Sequence, residues 1–121
     1  MSDIRVLDDA AVAAALPMTT AIDAIRAALL AGLDPAADPA RAVLPVDHGH
    51  LLLMPAQWGG FVGVKTVTVA PDNPAVGLPR VQGSYLLLDG STLTPLALLA
   101  GATLTAIRTS AVSAVAADLL A

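Results

Sequence analysis

Cysteine is absent from the 121 residues, which excludes a disulfide framework, a thiolate nucleophile and Cys-ligated metals. Glutamate is also missing: all ten acidic residues are Asp, and the six basic ones are five Arg and a single Lys. The net charge of -4 is spread along the chain. That argues against a nucleic-acid or anionic-membrane surface, since both require clustered Lys and Arg. Aromatic residues are scarce, with Trp58, Phe61 and Tyr85 the whole set. No window holds 18 or more uninterrupted apolar residues, the length of a membrane-spanning helix. The start Met1-Ser2-Asp3 lacks a basic segment followed by an apolar one, so no export signal is expected and the default location is cytoplasmic. The length excludes a doubly wound nucleotide-binding domain together with a second lobe.

Small apolar residues are what the chain has. Hydrophobic residues make up 56% and charged residues 13%, against ordinary usage of roughly 45–50% and about 25%. Disorder is excluded on both counts. Alanine leads with 26 residues, beside 20 Leu, 12 Val and 4 Ile. Such a chain can bury a core and still have apolar surface left for a partner.

The patterning changes near residue 40. A brief extended stretch around Ile4 to Leu7 precedes a short Ala-rich helix over 9–16, capped by Asp8 or Asp9 and stopped near Pro17. Thr19 or Thr20 is expected to cap the next helix, with Ile22, Ile25, Leu29 and Leu33 along one side and Gly32 as its stop. Residues 34–40, with Pro35 and Pro39, read as a loop. Strand-length runs follow at Arg41–Val46, Leu51–Pro55, Phe61–Val69, Tyr85–Leu88 and Thr94–Leu99, separated by glycine turns. Residues 71–83 read as a long ordered loop. Thr105 is expected to cap a final helix over 106–120. Helices at both ends of a meandering sheet give an α+β fold with a mixed, mainly antiparallel sheet. That last helix is still in pattern at Ala121, which reads as a chain cut at a domain boundary.

Local chemical motifs are few. The sequence holds no GxGxxG, P-loop, HExxH, GxSxG or EF-hand pattern. Gly59-Gly60-Phe61-Val62-Gly63 enters a strand and cannot make the dinucleotide turn. His48-Gly49-His50 reads as polar turn residues, and no metal site is expected.

The scarce cations are more informative. Arg41 opens a strand, Lys65 lies inside one beside Val67 and Val69, Arg80 is in the proline-rich loop, and Arg108 is placed in the first turn of the last helix. A cation there opposes the helix dipole unless an anion compensates it. Two readings stand. Each cation pairs with an aspartate or snorkels at an edge; or two or three converge on a small carboxylate, with Arg as the bidentate fork and Lys as a movable proton donor.

Several segments in order carry a resemblance: Val64-Lys65-Thr66-Val67, Pro71-Asp72-Asn73-Pro74, Gly77-Leu78-Pro79, Gln82-Gly83, Pro95-Leu96-Ala97 and Leu104-Thr105-Ala106-Ile107-Arg108-Thr109-Ser110-Ala111. Their order and spacing over residues 41–117 resemble the ornithine cyclodeaminase/mu-crystallin family. The resemblance implies a two-domain homodimeric enzyme using NAD or NADP on a small amino or imino acid. Residues 1–121 would be its substrate-binding and dimerisation domain, without the Rossmann domain. It further implies that Arg41 binds the substrate carboxylate, that Lys65 contacts substrate and moves a proton, and that Arg108 lies between substrate and cofactor. Arg80 stands where a cofactor-contacting threonine is common, and would either reach the dinucleotide phosphates or face solvent. Leu93 replaces a turn glycine, and Ala100 an aspartate. The family's lens crystallin branch supplies the alternative, a non-catalytic ligand-binding or structural protein.

Overall fold

A computed structural model describes residues 3–120; Met1, Ser2 and Ala121, and with them the readings made on the two chain ends, lie outside the described residues. The order is β1 (Arg5–Leu7), α1 (Asp9–Ala15), α2 (Met18–Leu30), β2 (Ala42–Val46), β3 (Gly49–Trp58), β4 (Phe61–Val69), β5 (Val81–Asp89), β6 (Pro95–Ala100) and α3 (Gly101–Leu120). Short 3-10 turns occupy Pro35–Ala37 and Asn73–Val76. The expected α+β architecture is present, with N-terminal helices, a mixed sheet and a C-terminal helix.

The six strands form one sheet in the order β1-β6-β5-β4-β3-β2. Only β1 against β6 is parallel; every other pair is antiparallel. The strands run longer than the apolar runs suggested, because ladder pairing recruits Gln57, Trp58, Gln82 and Gly83 regardless of polarity. Part of the expected 71–83 loop is therefore strand.

The starts of two helices differ from expectation, whereas α2 stops at Gly32 as expected. α2 starts at Met18 with Pro17 as its N-cap, not at a threonine cap; proline's fixed φ suits a helix entrance that needs no amide there. Gly32, at φ +96°, closes α2 while the Leu33 amide donates to the Ala28 carbonyl, the geometry of a glycine C-terminal motif. Leu29, expected on the covered side of α2, is exposed, and Ala21 is the buried contact. α3 begins at Gly101, directly after β6, so Thr105 is inside the helix instead of capping it.

Gly101 is the reason α3 can begin so abruptly. A Cβ there would lie 2.6 Å from the Gly83 carbonyl carbon and 2.7 Å from the Ser84 amide nitrogen. Helix and sheet thus touch backbone to backbone. The rest of the core is equally small: Val12, Ala21, Ala97, Ala111 and Val115 are buried. The alanine-rich composition becomes close helix packing, with α2 on α3 and α1 against α3, β1 and β6. The Thr103 hydroxyl donates to Asp9, and an exposed Arg26–Asp118 ion pair at 2.6 Å joins α2 to the end of α3. α3 has the length and apolarity to cross a membrane by composition alone; here Gly101, Ala111 and Val115 are buried against its neighbours.

All three helices lie on one side of the sheet. Strand alternation puts Lys65, Tyr85, Ala97 and Leu99 on that side. The opposite side, which includes Val6, Leu44, Val46 and Leu98, is covered by no element among the described residues, and those four side chains are exposed. The accessible area is 8048 Å², whereas a compact monomer of this mass exposes about 6,000 Å².

Candidate functional site

Lys65 reaches its place through strand register. On β4 it pairs with Met54 of β3 and Tyr85 of β5, so those three side chains form a row on the helix side. Arg41 directly precedes Ala42, the partner of Leu53, and so falls in line with Met54. Above the row, Thr105 and Arg108 are three residues apart on α3 and share a helix side. The Leu33–Pro39 segment closes a third wall. Together these elements enclose a cavity of about 460 Å³, within the range of small-molecule sites.

The structure therefore brings Arg41, Lys65 and Arg108 to one pocket. Lys65 is half-buried, and its Nζ donates to Thr105 Oγ1 at 3.3 Å. Its pKa is lowered, first by desolvation and then by the positive charges of Arg108 and Arg41. A lysine whose protonation is opposed by two neighbouring arginines makes a site that gains from an anion.

Arg108 needs a correction. It is not in the first turn of the last helix, because α3 starts at Gly101. The macrodipole falls off within the first turn, so it does not set the charge balance at Arg108. What points to an anion is proximity to Lys65 and Arg41. Arg80 does not join this cluster: it is exposed, just before β5, outside the pocket lining. Its carbonyl accepts from the Ala70 amide at 2.8 Å.

Three pocket residues were not anticipated. Thr105 holds Lys65, Tyr85 forms a wall, and Asp38 is the only acid in the lining. Asp38 Oδ1 accepts from the Gln57 amide at 3.4 Å. Tyr85 has a raised pKa, first from burial and then from the Asp38 charge, so its phenol stays protonated at neutral pH. The Tyr85 hydroxyl lies directly over Gly63, where a Cβ would come within 2.0 Å of it. One signal was available for Thr105, its spacing of three from Arg108 on a helix. Asp38 had no such signal, because it sits on a loop whose path is set by tertiary packing.

Two further depressions lie among the described residues. One of about 590 Å³ lies between the β3–β4 turn and Asp89–Ser91; its only ionisable group, Asp89, already accepts from Ser91 and Thr92. A groove of about 160 Å³ lies on the far flank of Lys65 and Thr105, towards Gly83 and Gly101. Among the described residues, no group of three His, Cys or Asp side chains could hold a metal. No dinucleotide cradle is present among them either: Gly59 and Gly60 join two antiparallel strands, whereas such a cradle needs a strand-to-helix turn.

Fold and pocket together define an α+β domain with a cationic cleft of small-molecule size. The chain belongs to the ornithine cyclodeaminase/mu-crystallin family, whose pattern matches residues 3–121. A Delta(1)-pyrroline-2-carboxylate reductase of Bacillus cereus is 42% identical over 87 residues, covering 69% of this chain and 27% of that protein. Among solved structures, a lysine cyclodeaminase described as recognising L-lysine, L-ornithine and L-2,4-diaminobutyric acid superimposes with a TM-score of 0.77 and 34% identity, covering 99% of this chain and 39% of that one. An archaeal alanine dehydrogenase dimer with bound NAD gives a TM-score of 0.76 and 30% identity, covering 90% and 34%. The chain thus spans between about a quarter and two fifths of the length of these relatives.

Proposed function

We propose that this chain is the substrate-binding and dimerisation domain of an NAD(P)-dependent enzyme acting on small α-amino or α-imino acids, with cyclodeaminase or ketimine reductase chemistry. The observation that carries this reading is the convergence of Arg41, Lys65 and Arg108 on one pocket. Arg41 anchors the substrate carboxylate through its planar fork. Lys65, with its lowered pKa, gives and takes a proton at the nitrogen on the reacting carbon. Arg108 shares the carboxylate and borders the cofactor side, and the exposed Arg80 either reaches the dinucleotide phosphates or faces solvent.

When bound, the nicotinamide supplies or accepts hydride. It would be held by a nucleotide-binding domain outside the described residues. This domain's own task is orientation: a fixed carboxylate and a positioned amine hold the reacting carbon in one geometry.

The bare side of the sheet is assigned to a second copy of the chain. The excess of roughly 2,000 Å² over a compact monomer is of the size an obligate interface needs. Sedimentation giving a stable monomer with no hydrophobic-dye binding would refute this part.

Kinetics of the intact protein test the site. Arg41→Met is expected to act through substrate binding, with a defect that shrinks for a decarboxylated analogue. An equal defect for both ligands would remove Arg41 from the carboxylate. No turnover with any amino or imino acid and either nucleotide would favour a non-catalytic binding protein.

A further inference from the structure

Lys65 and Thr105 face two cavities at once. They line both the cavity of about 460 Å³ and the groove of about 160 Å³, and the two share no other lining residue. The hydrogen-bonded pair, Nζ to Oγ1 at 3.3 Å, is therefore the partition between them. The two sides differ in size and chemistry. The larger holds Arg41 and Arg108. The groove is well below the roughly 300 Å³ at which small-molecule sites begin, and Lys65 is its only ionisable group. Its lining residues Val81, Gly83 and Ala102 are exposed, so it opens to bulk water. Water molecules, at about 30 Å³ each, fit such a space.

We infer that the Thr105 hydroxyl relays protons between Lys65 and solvent through this groove while a substrate occupies the larger cavity. The inference rests on the carboxylate-binding and proton-transfer reading above and adds the route by which the proton is replaced. A lysine that protonates a substrate nitrogen is left as a neutral amine, and it must regain a proton before the next turnover. A bound substrate obstructs the direct path from the larger cavity. Arg41 and Arg108 cannot supply the proton, because a guanidinium does not give one up in a protein. Asp38 and Tyr85 lie on the substrate's side of the partition. Thr105 reaches both sides, and a hydroxyl can accept and donate. The step balances: the Thr105 O–H bond breaks as its proton passes to Lys65 Nζ. A new O–H bond forms as Oγ1 takes a proton from water in the groove, which a solvent-borne acid replenishes. Nothing is oxidised or reduced, and the reverse sequence carries a proton out.

The test follows the Lys65 ammonium protons by NMR of the intact protein with isotope-labelled lysine nitrogen, which gives one side-chain signal because Lys65 is the only lysine. L-Norvaline serves as the probe that fills the larger cavity. Exchange with water is compared at a fixed interval below each variant's own Lys65 pKa, so that a changed pKa does not enter. Thr105→Val keeps the shape and removes the hydroxyl. It should slow exchange about 10-fold or more, whereas Thr105→Ser should stay within about threefold of wild type. Ala102→Leu, which plugs the groove and leaves the pair untouched, should slow exchange as well. In turnover, Thr105→Val should lower kcat about 10-fold at unchanged KM. The inference is overturned, while L-norvaline still shifts the Lys65 signal, by any of three results. These are wild-type exchange in Thr105→Val or Ala102→Leu, a Thr105→Ser variant as slow as Thr105→Val, or a turnover defect confined to KM. L-Norvaline that leaves the Lys65 signal unmoved would instead overturn the carboxylate reading, and this inference with it.

Discussion

Replacing Gly101 by alanine tests whether the helix–sheet contact sets the geometry of the pocket. The new Cβ would stand 2.6 Å from the Gly83 carbonyl carbon, 2.7 Å from the Ser84 nitrogen and 2.8 Å from the Gly83 oxygen. All three neighbours are backbone, so no rotamer change relieves the contact. Ordinary van der Waals contact begins at 3.4 Å, and the start of α3 must move off β5 by roughly 0.8 Å. Overpacking of this kind costs about 1–3 kcal/mol, partly offset by the better helix propensity of alanine. A net loss of about 1 kcal/mol is expected. The same displacement stretches the 3.3 Å Lys65–Thr105 hydrogen bond beyond useful length, so activity should fall along with stability. Urea unfolding of the intact protein measures the first effect and kcat/KM the second. Ala106→Ser, at an exposed position of the same helix, serves as control and should stay within about 0.5 kcal/mol of wild type. A Gly101→Ala midpoint indistinguishable from that control would refute the claim that α3 is seated on the β5 backbone.

Further outcomes follow from other residues. Lys65→Met should lower kcat/KM by at least about 10²-fold, the low end for a positioned acid–base group, with folding stability unchanged or raised; wild-type-like kinetics would remove Lys65 from the site. Because Lys65 is the only lysine, one side-chain NMR signal reports its titration. Its folded-state pKa lies below the ordinary 10.5, so the unfolded chain holds more protons in that interval, and stability should rise with pH from the lowered value towards 10.5. A bound carboxylate should shift the titration back upward, and Arg108→Met should do so more than Arg41→Met, following the order of their effects. Leu93 sits at φ +57° and is 60% exposed; Leu93→Gly should therefore gain about 0.5–1 kcal/mol in thermal unfolding, and a loss would show that the turn is not strained.

The order of elements was legible in the amino-acid sequence because it follows from local physics. The period-two run Val62–Val69, the glycine turns and the Gly32 stop each act over a few residues, and each reappears in the fold. Lys65 stood out by the same reasoning, as a lone lysine among valines on one side of a strand. Other features depended on contacts distant in sequence. Gly101 could be recognised as the start of α3 only once Gly83 and Ser84 were beneath it, and the misplacement of Arg108 in a first turn followed from that. Asp38 and Tyr85 are 47 positions apart, and no periodicity relates them. The sequence by itself fixes which side chains a strand or helix presents on one side, because the backbone repeat is local. Which of those sides faces a helix, a pocket or bare solvent is decided by register and layer packing, which only the tertiary fold sets.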